Sequence, residues 1–319
     1  MTGSLAERPL LKPWYRLSLD AHGAVLRYGG SVLEFEGSAA RTLLPLLLPL
    51  LDGTHTVDEV VEQLGEPIRP AVERTLGLLR EHRLLTEGLP ADVADGERRT
   101  LELLAATDAH GRSPAELRPL LAASRAVVVG TGSAAQEIEH LLRASAVGTV
   151  ARNAWQEAPP DALAVVAPAP AEVPLVLDWN RRALATGTSW LQVLPFDGLL
   201  AAVGPLYVPG ETSCHQCYRL RRAANLSSLR DPDVPSTPGG YPSGPAVDAV
   251  VAGLAAYTAL RRLVLGDGRA AGVLLAVELA PEPACSQHVV YRVPRCPACS
   301  RTGGAASPAP WDGVGSLAA

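Results

Sequence analysis

Two Cys-x-x-Cys knuckles constrain this chain more than any other feature: Cys214-His215-Gln216-Cys217 and Cys296-Pro297-Ala298-Cys299. Two residues between cysteines let one tight turn aim both sulfurs at a single ion about 2.3 Å away, as a tetrahedral Zn²⁺ site of four thiolates requires. The knuckles are separated by 78 residues, 218–295, so a shared metal closes a long loop rather than building a compact finger. Four of the five cysteines fall in this pattern. Two redox pairs or disulfides are the alternatives, but a redox pair belongs beside a strand–helix turn and a disulfide scaffold belongs to a secreted chain. The expectation is a structural zinc ion on Cys214, Cys217, Cys296 and Cys299, closed to substrate because no coordination position is left.

A length of 319 residues suits two domains, each with its own core. The net charge of −5 offers no electrostatic case for a nucleic-acid or anionic-membrane partner. No basic stretch followed by an apolar one marks the N-terminus, and the apolar run 42–51 holds Pro45 and Pro49 and is too short to span a bilayer. Residues 246–260 are apolar but interrupted by Asp248, and read as a buried helix. A soluble, cytoplasmic protein is expected. Lys12 is the only lysine.

Residues 1–90 read as a small α+β domain. Alternation over 15–20, 24–28 and 31–36, with Gly29-Gly30 between the last two, predicts three strands and a hairpin. Ser38 is placed to cap a helix reaching about Leu51; Thr56 and Glu59 form a capping box for a second helix ending at Leu64. Pro67 opens a third helix, with Ile68, Val72, Leu76 and Leu79 on one stripe, and 84–86 reads as a wing strand. Together these predict a winged helix-turn-helix. DNA binding is the common use of that fold, yet nine basic residues face twelve acidic ones over 1–88. Strand addition of an extended peptide suits the span better, with backbone pairing along Val32, Leu33, Glu34 and Phe35. Ile68, Val72, Thr75, Leu76 and Leu79 would line the cleft, and Arg74, Arg80 and Arg83 could meet acidic side chains; core packing is the alternative for each apolar residue.

Residues 91–124 read as a linker with short helices. At 125 an apolar strand runs into Gly130-Thr131-Gly132 and an amphipathic helix with Ile138, Leu141 and Leu142, the start of a Rossmann-like α/β domain over 125–302. The third glycine is missing, and the next strand ends in Arg152 where a ribose-gripping acid would stand.

These motifs, with Asp178-Trp179-Asn180-Arg181-Arg182, Gly204-Pro205 leading through Pro209-Gly210 into Cys214, and Pro294-Arg295-Cys296, resemble the ThiF/ubiquitin-activating family. The resemblance is to its divergent, ocin-ThiF-like branch in azole-forming ribosomal peptide biosynthesis. It spans nearly the whole chain and implies a zinc-bearing ThiF-type domain behind a winged-helix peptide-recognition element. Members of that branch bind the leader of a precursor peptide and present it to a YcaO-type cyclodehydratase.

Active relatives adenylate a carboxylate. Here Ala134 and Ala135 follow the glycines, the ribose acid is absent and no lysine lies in the domain. Gly130, Gly132 and Asp178, the last matching a Mg²⁺-positioning acid, are expected as a vestigial nucleotide site without ATP turnover. An adenylating enzyme and a DNA-binding regulator remain the rivals, and a homodimer stays open. Cys285 with His288 as base would be a thiol acceptor, with an idle loop thiol as the alternative. Residues 219–244 read as a mobile crossover loop and 303–319 as a flexible tail.

Overall fold

In the computed structural model, the described residues are 7–300, apart from 13–14, 29–30, 83, 91, 154, 157, 160, 226–242 and 279–281. The Gly29-Gly30 turn, Arg83, most of the crossover loop and the tail therefore lie outside them. The chain divides into two compact units, Met1–Leu120 and Leu121–Ala319.

Unit 1 runs β1 (Pro9–Leu11), β2 (Arg16–Leu19), β3 (Gly23–Tyr28), β4 (Ser31–Glu36), α1 (Ser38–Leu47), α2 (Val57–Leu64), α3 (Arg69–Glu81), β5 (Leu85–Glu87), α4 (Asp95–Thr107) and the start of α5 (Pro114–Ala123). The β2–β3 turn forms because Asp20 Oδ1 accepts the amides of His22 and Gly23, both at 2.8 Å. Strands β2, β3 and β4 form one antiparallel sheet, paired from Gly23↔Glu36 to Tyr28↔Ser31. Ala24 and Leu26 meet Leu44, Leu47, Val60 and Val61 beneath it, because apolar residues two apart share a strand face and those three or four apart share a helix face.

The capping box forms as expected: Thr56 Oγ1 accepts the Glu59 amide at 3.2 Å, and Glu59 Oε2 accepts the Thr56 amide at 2.7 Å. Two details differ from expectation. Gly37, not Ser38, occupies the cap of α1, and the helix tightens into a 3-10 turn at Leu48–Leu50, where Pro49 cannot donate. The strand read as a wing is β5, and it pairs antiparallel with β1, which has too few residues to show an alternating pattern. The segment read as a linker with short helices holds α4 and α5, and Leu101, Leu104 and Leu117 there are fully buried.

Unit 2 begins with β6 (Arg125–Val129), α6 (Ser133–Ala144), β7 (Thr149–Asn153), β8 (Leu163–Val166), α7 (Leu175–Thr186), β9 (Trp190–Leu194) and β10 (Leu200–Tyr207). It continues with α8 (His215–Asn225), α9 (Pro245–Leu260), β11 (Val273–Glu278) and β12 (Ala284–Val289). The seven strands lie in the order β12-β11-β10-β9-β8-β6-β7. Parallel pairing links β7, β6, β8 and β9, while β10, β11 and β12 extend the sheet antiparallel. The inner parallel strands β6, β8 and β9 are largely apolar runs such as Leu163–Val166, as strands covered on both faces must be, whereas the edge strand β7 is not. Strand order reverses between β6 and β8, which puts the fold's natural ligand crevice at their carboxyl ends. No helix among the described residues is long and apolar enough to cross a membrane.

Removing the α2 cap isolates a local contribution. Thr56→Ala should lower the unfolding free energy of unit 1 by about 1 kcal/mol, read as a lower denaturant midpoint at unchanged slope.

Candidate functional site

The four knuckle cysteines converge. Cys214 immediately precedes α8 and Cys217 lies in its first turn, while Cys296 and Cys299 follow β12, where Arg295 adopts a left-handed φ of 56°. All four Sγ atoms lie within 4.8 Å of one another. The Cys214–Cys217 and Cys214–Cys296 separations are both 3.8 Å, and Cys217–Cys299 is 3.6 Å. A tetrahedron with 2.3 Å metal–sulfur bonds has edges of about 3.8 Å. The donor set therefore fits a tetrahedral metal ion such as zinc. Hydrogen bonds among the sulfurs push the Cys214 thiol up and hold the Cys217 thiol down. Four adjacent thiols cannot all ionise unaided, and a divalent cation lets them.

Backbone contacts fix the two knuckles to each other. Arg221 on α8 donates to the carbonyls of Tyr291 and Arg292, at 2.6 and 3.0 Å, and Arg292 Nε donates to the Thr212 carbonyl at 2.6 Å. The Val293 amide points at Cys217 Sγ from 3.3 Å. His215, inside the first knuckle, turns away from the sulfurs. Its amide donates to Asn180 Oδ1 at 3.0 Å and its Nδ1 lies 2.6 Å from Gln192 Oε1, which also accepts from Tyr207 at 3.2 Å. The knuckle is thereby attached to α7 and the central strands.

At the switch point between β6 and β8 the chain fills its own crevice. Gly130 has a φ of 125°, and a Cβ there would collide with the Ala167 carbonyl after β8, so this glycine is required by strand packing alone. Glu172 Oε2 accepts the amide of Thr131 at 3.0 Å and that of Ala169 at 2.8 Å, while Trp155 Nε1 donates to Oε1 at 3.0 Å. Burial pushes the Glu172 carboxyl up, but these donors outweigh it and hold it below the usual range, so it is ionised at neutral pH. Arg182 on α7 supports this arrangement by donating to the Trp155 carbonyl at 2.8 Å.

A second carboxylate stands at the start of α6. Asp248 accepts Ser133 Oγ in a very short hydrogen bond and Ser243 Oγ at 2.6 Å. On the ribose side, Arg152 donates to the Gly130 carbonyl at 3.2 Å and lies 3.6 Å from Glu139. One carboxylate thus takes an amide of the glycine turn, and a second meets the hydroxyl of the first residue of α6. Sequence reasoning missed both: Glu172 belongs to no motif, and Asp248 registered only as an interruption in an apolar run. Asp178 sits exposed in the first turn of α7, paired with Arg181.

The residues expected to meet a peptide in unit 1 separate by exposure. Val32 is 57% exposed, whereas Val72, Leu76 and Leu79 are 0% exposed and belong to the core beneath the sheet. Leu33, Phe35 and Ile68 are half-buried against that core; Glu34 and Arg74 are exposed. Thr75 and Arg80 are half-buried, and Thr75 Oγ1 donates to the Ala71 carbonyl at 2.8 Å. Among the described residues β4 pairs only with β3, which leaves its other edge open. Cys285 and His288, three apart on β12, point to opposite faces, and His288 Nε2 instead meets Ser286 Oγ at 2.9 Å.

No protein-family model and no curated protein matches the chain. Solved structures do. A heterocyclase in complex with substrate and cofactor aligns at a TM-score of 0.64 and 22% identity, over 92% of this chain and 39% of that one. The heterocyclase TruD aligns at 0.60 and 21%, over 92% of this chain and 43% of its own. E. coli MccB with ATP aligns at 0.58 and 16%, over 92% and 99%. The chain therefore has the ThiF-like α/β fold and spans about two fifths of the heterocyclase chains it matches.

Elemental analysis of purified protein should find one metal ion per chain, falling below about a tenth of that in Cys217→Ser. Acidification should release the metal, because each sulfur must be deprotonated to bind it.

Proposed function

We propose that the chain is a non-catalytic recognition partner in ribosomal peptide heterocyclisation. It would bind a precursor leader on the open edge of β4 and dock a separate YcaO-type cyclodehydratase that performs the chemistry. The observation that carries the non-catalytic half is the pair of carboxylates, Glu172 and Asp248, at the glycine loop. A triphosphate entering there would displace an ionised side chain from the Thr131 amide and meet a second anion at the α6 terminus. No lysine in the domain offsets that charge.

The context for a cyclodehydratase partner comes from the similar solved structures. The matched heterocyclases are more than twice as long as the part this chain aligns to, and one of them is solved with substrate and cofactor. Zinc on the four cysteines would hold the body rigid for docking, since a closed thiolate set has no position for substrate. Unit 1 offers a sheet edge whose backbone donors and acceptors suit an extended peptide, with Val32, Leu33, Glu34 and Phe35 along it and Ile68, Thr75, Arg74 and Arg80 on the neighbouring helical segment.

MccB, solved with ATP on the same fold, keeps an adenylating reading in play. Incubation with ATP, Mg²⁺ and the precursor should release no pyrophosphate above a protein-free control; release would overturn the non-catalytic assignment. The groove is tested separately. Val32→Asp should weaken leader binding by about tenfold or more, measured by fluorescence anisotropy, with metal content unchanged. Val32 is the informative position because it is exposed, whereas a charge at the fully buried Leu76 would disrupt the core. Unchanged affinity in Val32→Asp would remove β4 as the leader site.

A further inference from the structure

Unit 1 also contains a half-open cavity of about 480 Å³, within the range of small-molecule sites. Leu10 of β1, Leu85 of β5 and Ala105 of α4 supply apolar lining, and three cations reach it: Lys12 beside β1, Arg80 in the last turn of α3, and Arg112. Arg112 is committed. It grips Asp108 with two side-chain hydrogen bonds of 2.9 and 3.0 Å, and so holds that carboxyl well below its usual range. Lys12 and Arg80 are half-buried, and neither side chain has a hydrogen-bond or ion-pair partner among the described residues. Two like charges facing one partly dehydrated space repel each other, and an anion between them would offset both.

The wall selects the kind of anion. Glu102 lines the cavity too, and burial pushes its carboxyl pKa up. Leu10, Leu85 and Ala105 give the carbon skeleton of an organic anion a surface to lie against, which an inorganic ion would not use. We propose that this cavity binds a carboxylate through Lys12 and Arg80, carried by a small organic acid or by an acidic side chain of a bound peptide. Only the peptide source rests on the leader-binding reading, since α3 carries residues assigned to both.

The chain's single lysine provides the test. Reductive methylation of the full-length protein with ¹³C-formaldehyde places one dimethyl-lysine signal at Lys12, distinct from the α-amine. Glutarate is titrated in one arm; the other uses N-acetyl-Ala-Glu-Ala-amide against its Gln counterpart. A saturable shift in either arm, weakened at least about tenfold in Arg80→Gln, is the expected result. A glutarate response assigns the free acid; a response to the Glu peptide alone assigns the side chain. A silent Lys12 signal overturns the proposal, as does a shift equalled by NaCl at matched ionic strength or one unaffected in Arg80→Gln. If that variant fails to fold, calorimetry on Lys12→Gln must show the binding heat lost, and retained heat overturns the proposal equally. Leader affinity measured in parallel separates the two readings: leader binding with a silent Lys12 sinks only the cavity, and a responsive Lys12 without leader binding sinks only the β4 assignment.

Discussion

Four sulfurs brought within touching distance are the constraint on which unit 2 depends. Left to themselves, four buried thiols repel as they ionise, so the cluster is a demand for a divalent cation rather than a passive packing feature. The ion would tie the start of α8 to the segment after β12 and close the intervening 78 residues into one loop. By chain-entropy reasoning a link across a loop of that length removes about 4 to 5 kcal/mol of freedom from the unfolded chain. Strands β11 and β12 form the exposed margin of the sheet, and β12 buries none of its own six residues. An edge so thinly covered has little hydrophobic reason to stay attached, and a metal ion on the four cysteines would supply one.

The same physical preference recurs at the two ends of the crevice. Helix N-termini attract anions because their first amides lack internal acceptors. In unit 2 that preference is met from within. The knuckle sulfurs lie at the start of α8, and Asp248 meets the hydroxyl of the first residue of α6. Glu172 takes the amide in the glycine turn between β6 and α6. These positions carry the chain's own side chains, and Arg152 donates to the Gly130 carbonyl beside them.

How much of this was legible in the sequence depended on the range of each interaction. The capping box of α2, the knuckles and the strand–glycine–helix unit are local patterns with fixed spacing, and each formed where the spacing put it. The pairing of β1 with β5 was invisible because three residues carry no period and the partner lies more than seventy positions away. Stripe reasoning identified Val72, Leu76 and Leu79 correctly as one face of α3, but periodicity cannot say whether that face is covered; here the core covers it. Glu172 and Asp248 were missed for a further reason. A carboxylate that meets a distant turn or helix end leaves no motif, since its role is defined by where the chain brings it and not by its neighbours in sequence.

Gly130 shows why the motif alone misleads. In a dinucleotide site a glycine in this turn gives the pyrophosphate close access to the backbone. Here the left-handed φ and the crowding by the Ala167 carbonyl make glycine obligatory even if no phosphate ever approaches. The residue therefore persists under a constraint that has nothing to do with nucleotide, and its presence cannot discriminate an active crevice from a closed one. What discriminates them is the state of the amide one residue later: free, it is a phosphate donor; held by Glu172 at 3.0 Å, it is already satisfied. Only displacement of an ionised side chain could restore the first condition, and the incoming triphosphate would have to supply that free energy before gaining any of its own.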